Sequence, residues 1–173
     1  MGGVIALDFN SRHPARVASL TLCDTMPGFS HFSEAQRAEF IRLRQEPLLA
    51  GKDPRDIAPI VAKTLISRQP RRGVFEQLMA SLSALRKDSY LKALAASVRY
   101  SREFALEDID VPVHVVVGDE DTLTPPAVSR RMAERIGGSR LTIIEGAGHL
   151  SNIEQPEAFN RATLDFFRNC CSD

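Results

Sequence analysis

Two short stretches hold residues able to do chemistry together: Glu145-Gly146-Ala147-Gly148-His149-Leu150 and Gly118-Asp119-Glu120-Asp121. The first places a histidine just past a glycine turn, after the apolar run Leu141-Thr142-Ile143-Ile144. The second places an aspartate just past Val113-His114-Val115-Val116-Val117. A carboxylate and an imidazole, each on a loop after a strand, are two thirds of a Ser-His-Asp triad. The acid fixes the tautomer, and the free ring nitrogen takes a proton from a nucleophile. Gly146 and Gly148 let the backbone turn sharply and aim the ring.

Each residue also has a plainer reading. Asp121 can cap the turn before Pro125, and His149 can be an ordinary loop histidine. Their acid-then-base order on successive strand ends favours the functional pair. Asp119 and Glu120 compete as the acid but are expected to be solvated turn carboxylates. Asp24 also follows a strand and ranks below Asp121. Glu154 either braces the His149 loop or caps the last helix, and the cap is the expectation. His114 reads as a satisfied core residue and His13 as part of a surface turn. His31 stands where an insertion begins.

The elements that must present this pair alternate along the chain. Residues 2–12 read as a helix stopped by Pro14. Residues 17–23 form a short, nearly apolar strand of the kind covered on both faces in a parallel sheet. Strands follow at 113–117 and 141–144. A helix is expected with Thr124 as N-cap and Pro125 at its first position, ending at Gly137-Gly138. The last helix spans 156–168 and buries Phe159, Ala162, Phe166 and Phe167. Alternation of this kind implies a parallel sheet. Functional groups then sit on loops at the carboxyl ends of its strands.

Residues 33–102 contain no convincing strand. Ser33 and Gln36 form a capping box for a helix ending near Gly51. A second helix runs from Asp53-Pro54 to about Ile66, with Pro59 expected to kink or restart it. Further helices fit 74–87 and 89–100. Phe75, Leu78, Met79, Leu82 and Leu85 share one face of the third, a packing face by spacing.

Composition narrows the class. The chain has 173 residues, 43% hydrophobic and 25% charged, which suits one domain, or one domain with an inserted cap. A net charge of +0 offers no affinity for nucleic acid. No apolar run is long enough to span a membrane, and no leader pattern opens the chain. Three cysteines without a framework suggest a reduced, cytoplasmic setting, with Cys23 a small core residue.

Taken together, these motifs resemble the C-terminal two thirds of an α/β-hydrolase, the family implied to have an α/β fold and a helical cap. Met1-Gly2-Gly3 resembles the tail of its nucleophile elbow, Gly-x-Ser-Met-Gly-Gly. Gly118-x-x-Asp121-x-x-x-Pro125 resembles its acid loop, and Gly146-x-Gly148-His149 its histidine loop. Glu154-x-Pro156-x-x-Phe159 resembles the start of the helix that follows. The resemblance implies a core at 1–32 and 103–173, reduced to a three-stranded parallel sheet, and a cap at 33–102. It implies catalytic Asp121 and His149, with the backbone of Met1 in the oxyanion position, and no cofactor or metal. Within the family, the histidine loop and cap look most like 3-oxoadipate enol-lactonase. That implies ester or lactone hydrolysis of a small molecule.

The departure is that no Gly-x-Ser-x-Gly occurs in the chain. The nucleophile would stand immediately before Met1, as if a start had been placed at the methionine of Ser-Met-Gly-Gly. The chain alone is therefore expected to be inactive and to fold poorly. The alternatives are a truncated pseudo-hydrolase used in binding or assembly, and a carbon–carbon bond hydrolase of the same fold.

Overall fold

A computed structural model describes residues 1–29, 32–100 and 102–170. The chain divides into two compact units. The first comprises Met1–Pro27, Thr64–Arg72 and Phe104–Asp173; the second comprises Gly28–Lys63 and Gly73–Glu103. Thr64–Arg72, inside the expected insertion, thus belongs with the sheet.

The first unit opens with α1 (Gly2–Arg12) and β1 (Leu20–Cys23), and resumes with β2 (Val113–Gly118), α6 (Pro126–Arg135) and β3 (Arg140–Ile144). It closes with a short helix, α7 (Ser151–Glu154), and α8 (Pro156–Cys170). The three strands form a parallel sheet in the order β1-β2-β3. Leu20 pairs with Val113, and Gly118 pairs with Ile144. All six residues of central β2 are buried, as a strand covered on both faces requires. Leu22, Val115, Val117, Met132, Ile136 and Phe166 build the core.

Four expectations change here. β1 begins at Leu20 rather than Val17, because its pairing begins where Leu20 N–H meets Pro112 C=O, at the start of β2. Thr124 does not cap α6; the helix starts at Pro126, because Thr124 gives both its N–H and its hydroxyl to Asp121. α6 ends at Arg135, before the glycines. Phe167 is 40% exposed and leans on the buried Phe166 ring at 5.7 Å, one residue off the packed face.

The second unit carries α2 (Glu34–Leu49), α3 (Pro54–Leu65, of which Thr64 and Leu65 are counted with the first unit), α4 (Val74–Ser83) and α5 (Lys87–Arg99). The Ser33–Gln36 capping box is present in both directions. Pro59 does not interrupt α3, which stays continuous as Ile57, Ala58 and Ala62 bury its apolar face. α4 stops at Ser83, leaving Leu85 41% exposed beyond the helix. Tyr90 lines a small apolar cavity with Pro54, Ile57, Ala58, Val61, Leu82 and Leu85. His31, expected at the start of the insertion, lies outside the described residues.

Candidate functional site

β2 and β3 run parallel, so their following loops emerge side by side. These loops are laced together by main chain: Asp119 N–H donates to Ile144 C=O at 3.0 Å, and Glu120 N–H to Ala147 C=O at 2.9 Å. The backbone of the second loop lies on Gly118, where a Cβ would collide with the carbonyl oxygens of Ala147 and Gly148. Glycine is required there for close approach, with no need of a positive φ.

This pairing brings Asp121 and His149 together. The Nδ1 of His149 lies 2.9 Å from Asp121 Oδ2. The Asp121 side chain is wholly buried and that of His149 a quarter exposed. Asp121 Oδ1 accepts the N–H groups of Leu123 and Thr124 at 2.8 and 2.9 Å. Its Oδ2 accepts the Thr124 hydroxyl at 2.7 Å. Burial pushes the Asp121 carboxyl up, but these bonds from His149 and Thr124 outweigh it and hold the group below its ordinary value. A carboxylate beside Nδ1 puts the ring proton on that nitrogen and leaves Nε2 as the basic one.

The two loop glycines act differently. Gly146 has φ +67 and supplies the turn. Gly148 is needed for space, because a Cβ would come within 2.6 Å of the Ile66 carbonyl carbon and 2.7 Å of Ser67 N. The segment Leu65–Ser67 lies directly against the loop, and His149 N–H donates to Leu65 C=O at 2.9 Å.

Glu154 braces the histidine loop instead of capping the last helix. It is 1% exposed. Its Oε2 accepts Gly148 N–H at 2.6 Å, and its Oε1 accepts the Ser67 N–H and hydroxyl at 2.9 and 2.7 Å. Asp24 accepts Gly118 N–H, Ser151 N–H and the Ser151 hydroxyl. Ser67, Ser151 and the Thr124 hydroxyl have no signal in the sequence beyond Glu154, Asp24 and Asp121, the carboxylates they respectively serve.

The rival acids have other partners. Asp119 is an exposed residue, yet its Oδ1 accepts Gly146 N–H at 2.8 Å and so helps hold the histidine loop. Glu120 pairs with the highly exposed Arg68 at 3.0 Å. His114 is fully buried, with Nε2 2.9 Å from Thr142 Oγ1 and its ring 5.0 Å from that of Phe166. Burial, with the charge of Arg140 behind it, pushes its pKa down to about 4, so it is neutral at pH 7. Cys23 is partly buried rather than a core residue. Burial, followed by the Asp24 charge, pushes its thiol up to about 12, which removes it as a nucleophile at neutral pH. Met1 stands at the N-cap position of α1 and is 60% exposed. Among the described residues, no cluster of three or more His, Cys, Asp or Glu side chains could hold a metal ion. No helix among them is long and apolar enough to cross a membrane.

Known proteins resemble this chain in sequence and in fold. The profile of the alpha/beta hydrolase family matches residues 1–162. A pimeloyl-(acyl-carrier protein) methyl ester esterase of Neisseria meningitidis is 29% identical over 171 residues, 96% of this chain and 54% of that protein. The 3-oxoadipate enol-lactonase 2 of Acinetobacter baylyi is 34% identical over 89 residues, 51% of this chain and 33% of that one. The solved structure of a thermophilic esterase from Thermogutta terrifontis superposes with a TM-score of 0.84 at 25% identity, covering 98% of this chain and 62% of that one. The chain spans 54% to 66% of the length of its methyl ester esterase relatives from Neisseria.

Proposed function

The chain belongs to the alpha/beta hydrolase family, and from that premise we propose that Asp121 and His149 are the orienting acid and the base of a serine-type ester or lactone hydrolysis. The 2.9 Å contact between His149 Nδ1 and Asp121 Oδ2, at the ends of adjacent parallel strands, carries this reading. His149 Nε2 takes the proton of a serine hydroxyl as the oxygen attacks the carbonyl, then returns it to the leaving oxygen. It next deprotonates the water that releases the acid. Asp121 holds the imidazole in register and stabilises the imidazolium at each stage. The reaction needs no cofactor or metal.

The 173 residues contain no Gly-x-Ser-x-Gly. The reading therefore takes the nucleophile from a serine outside them, in the family position just before Met1. The Met1 N–H then becomes an oxyanion donor, which in this family comes from the residue after the nucleophile. The esterase and enol-lactonase relatives support a small-molecule ester or lactone as substrate.

The test compares residues 1–173 with a version extended upstream in its own reading frame, using a short-chain p-nitrophenyl ester. The extended protein should hydrolyse it, and His149→Ala or Asp121→Asn should lower kcat by about 10³-fold or more. Unchanged turnover in His149→Ala, or full turnover by residues 1–173 alone, overturns the reading.

A further inference from the structure

Asp24 is a buried carboxylate that the acid–base chemistry leaves unused, and its backbone is strained. It follows β1 directly and is 6% exposed. Among the described residues it is the only non-glycine with positive φ, at +43. Glycine would adopt that conformation without penalty, so the turn alone does not account for an aspartate. Its hydrogen bonds do. Oδ1 accepts Gly118 N–H at 3.0 Å, at the last residue of β2 and three positions before Asp121. Oδ2 accepts Ser151 N–H at 3.0 Å and the Ser151 hydroxyl at 2.7 Å, two positions after His149. The Cys23 thiol adds a fourth donor at 3.2 Å.

We propose that Asp24 is a positioning residue, a clasp whose two oxygens fix the histidine loop against the end of the acid strand and so keep His149 Nδ1 on Asp121 Oδ2. One oxygen is committed to the strand that carries the acid and the other to the loop that carries the base. Neither is free to follow one loop without pulling on the other. The clasp rests on the reading of His149 as the base, but its test does not use turnover.

The readout is the His149 Nδ1–H proton in NMR spectra of the 15N-labelled chain, followed by its exchange with solvent. Asp24→Asn keeps the size and tolerates positive φ, but sets an amide donor against N–H groups that need an acceptor. Asp24→Gly relaxes the backbone and removes the carboxylate. Both should speed Nδ1–H exchange about tenfold or more, because each disturbs several of the bonds to the Asp24 carboxylate at once, while resonances of Val113 and Met132 keep their positions. Ile136→Val, in a buried site away from the clasp, should destabilise the fold and leave the exchange within about twofold. Ser151→Ala is the mild variant should the others fail to fold, and should speed exchange about threefold, as befits a single lost hydroxyl bond.

Parent-like exchange in folded Asp24→Gly overturns the clasp, as does parent-like exchange in Ser151→Ala. So does an Ile136→Val effect as large as that of Asp24→Asn, because general loosening would then explain both. A parent chain with no protected Nδ1–H overturns the acid–base reading and the clasp with it. A protected parent with insensitive Asp24 variants overturns the clasp alone.

Discussion

Asp121 takes three of its four hydrogen bonds from Leu123 and Thr124, two and three positions further along its own loop. The loop around His149 is anchored from afar. Ser151 is tied to Asp24 across 127 residues, and Glu154 carries Ser67 across 87 residues to reach Gly148. The acid is thus held by a local turn, whose geometry follows from a few neighbouring residues. The base is held by the assembled fold. Disturbance elsewhere in the first unit should therefore reach His149 before it reaches Asp121.

The sharpest way to break this contrast is Glu154→Gln. It sets an amide donor among the Gly148 N–H, Ser67 N–H and Ser67 hydroxyl, all deeply buried, and should destabilise the chain by about 3 kcal/mol in urea unfolding. A loss below about 1 kcal/mol would mean that the base loop stands without its remote support. Next comes Gly148→Ala, whose Cβ meets the backbone of Ile66 and Ser67, a wall that has no side chain to yield. We expect about 2 kcal/mol, with weakening of the His149–Asp121 contact measured by the Nδ1–H resonance.

Thr124→Val probes the local side. It removes one hydroxyl donor from Asp121 Oδ2 and should cost about 1 kcal/mol. The folded Asp121 carboxyl titrates below its ordinary 3.8. The stability it contributes is therefore present above that unfolded value and is lost as pH falls through the folded one. Thr124→Val should raise the folded value and shrink the acid-side loss, seen by following the Asp121 carboxyl carbon in NMR. An unmoved titration would show that the remaining bonds set it alone. The smallest effect belongs to Arg68→Ala. Arg68 bonds Glu120 from a side chain that is 89% exposed, and removing it should change stability by less than about 0.5 kcal/mol. A larger loss would make the segment bearing Arg68 a support in its own right.

The same contrast explains what could be read from the chain before its structure. Apolar runs bounded by glycine and proline mark β2 and β3, and the acid and base follow each run within a few residues. The Ser33–Gln36 box marks its helix because both partners lie within one turn. The Thr124 hydroxyl suits a helix cap and a carboxylate three residues away equally, and only the fold decides between them. Pro59 signals a break by local propensity, whereas the burial of Ile57 and Ala62 that keeps the helix continuous is not local. The partnership of Ser67 with Glu154 leaves no periodic or spacing signal, since two polar residues 87 positions apart meet only once the sheet has formed. The place of Asp24 after a strand is legible in the sequence, but its partners Gly118 and Ser151 are not, for the same reason.

The order of strands in the sheet also has a kinetic side. β2 meets β3 across short separations, such as the 28 residues between His114 and Thr142, whereas Asp24 meets Gly118 across 94. Closing the longer loop loses more chain entropy before any contact rewards it, so β2–α6–β3 should assemble first and β1 dock late. Pulsed hydrogen exchange during refolding should then protect the β3 amides before those of β1, and simultaneous protection would refute this order. Asp121 and His149 would meet in an early, loosely held form that tightens only when the last strand to arrive brings Asp24 into place.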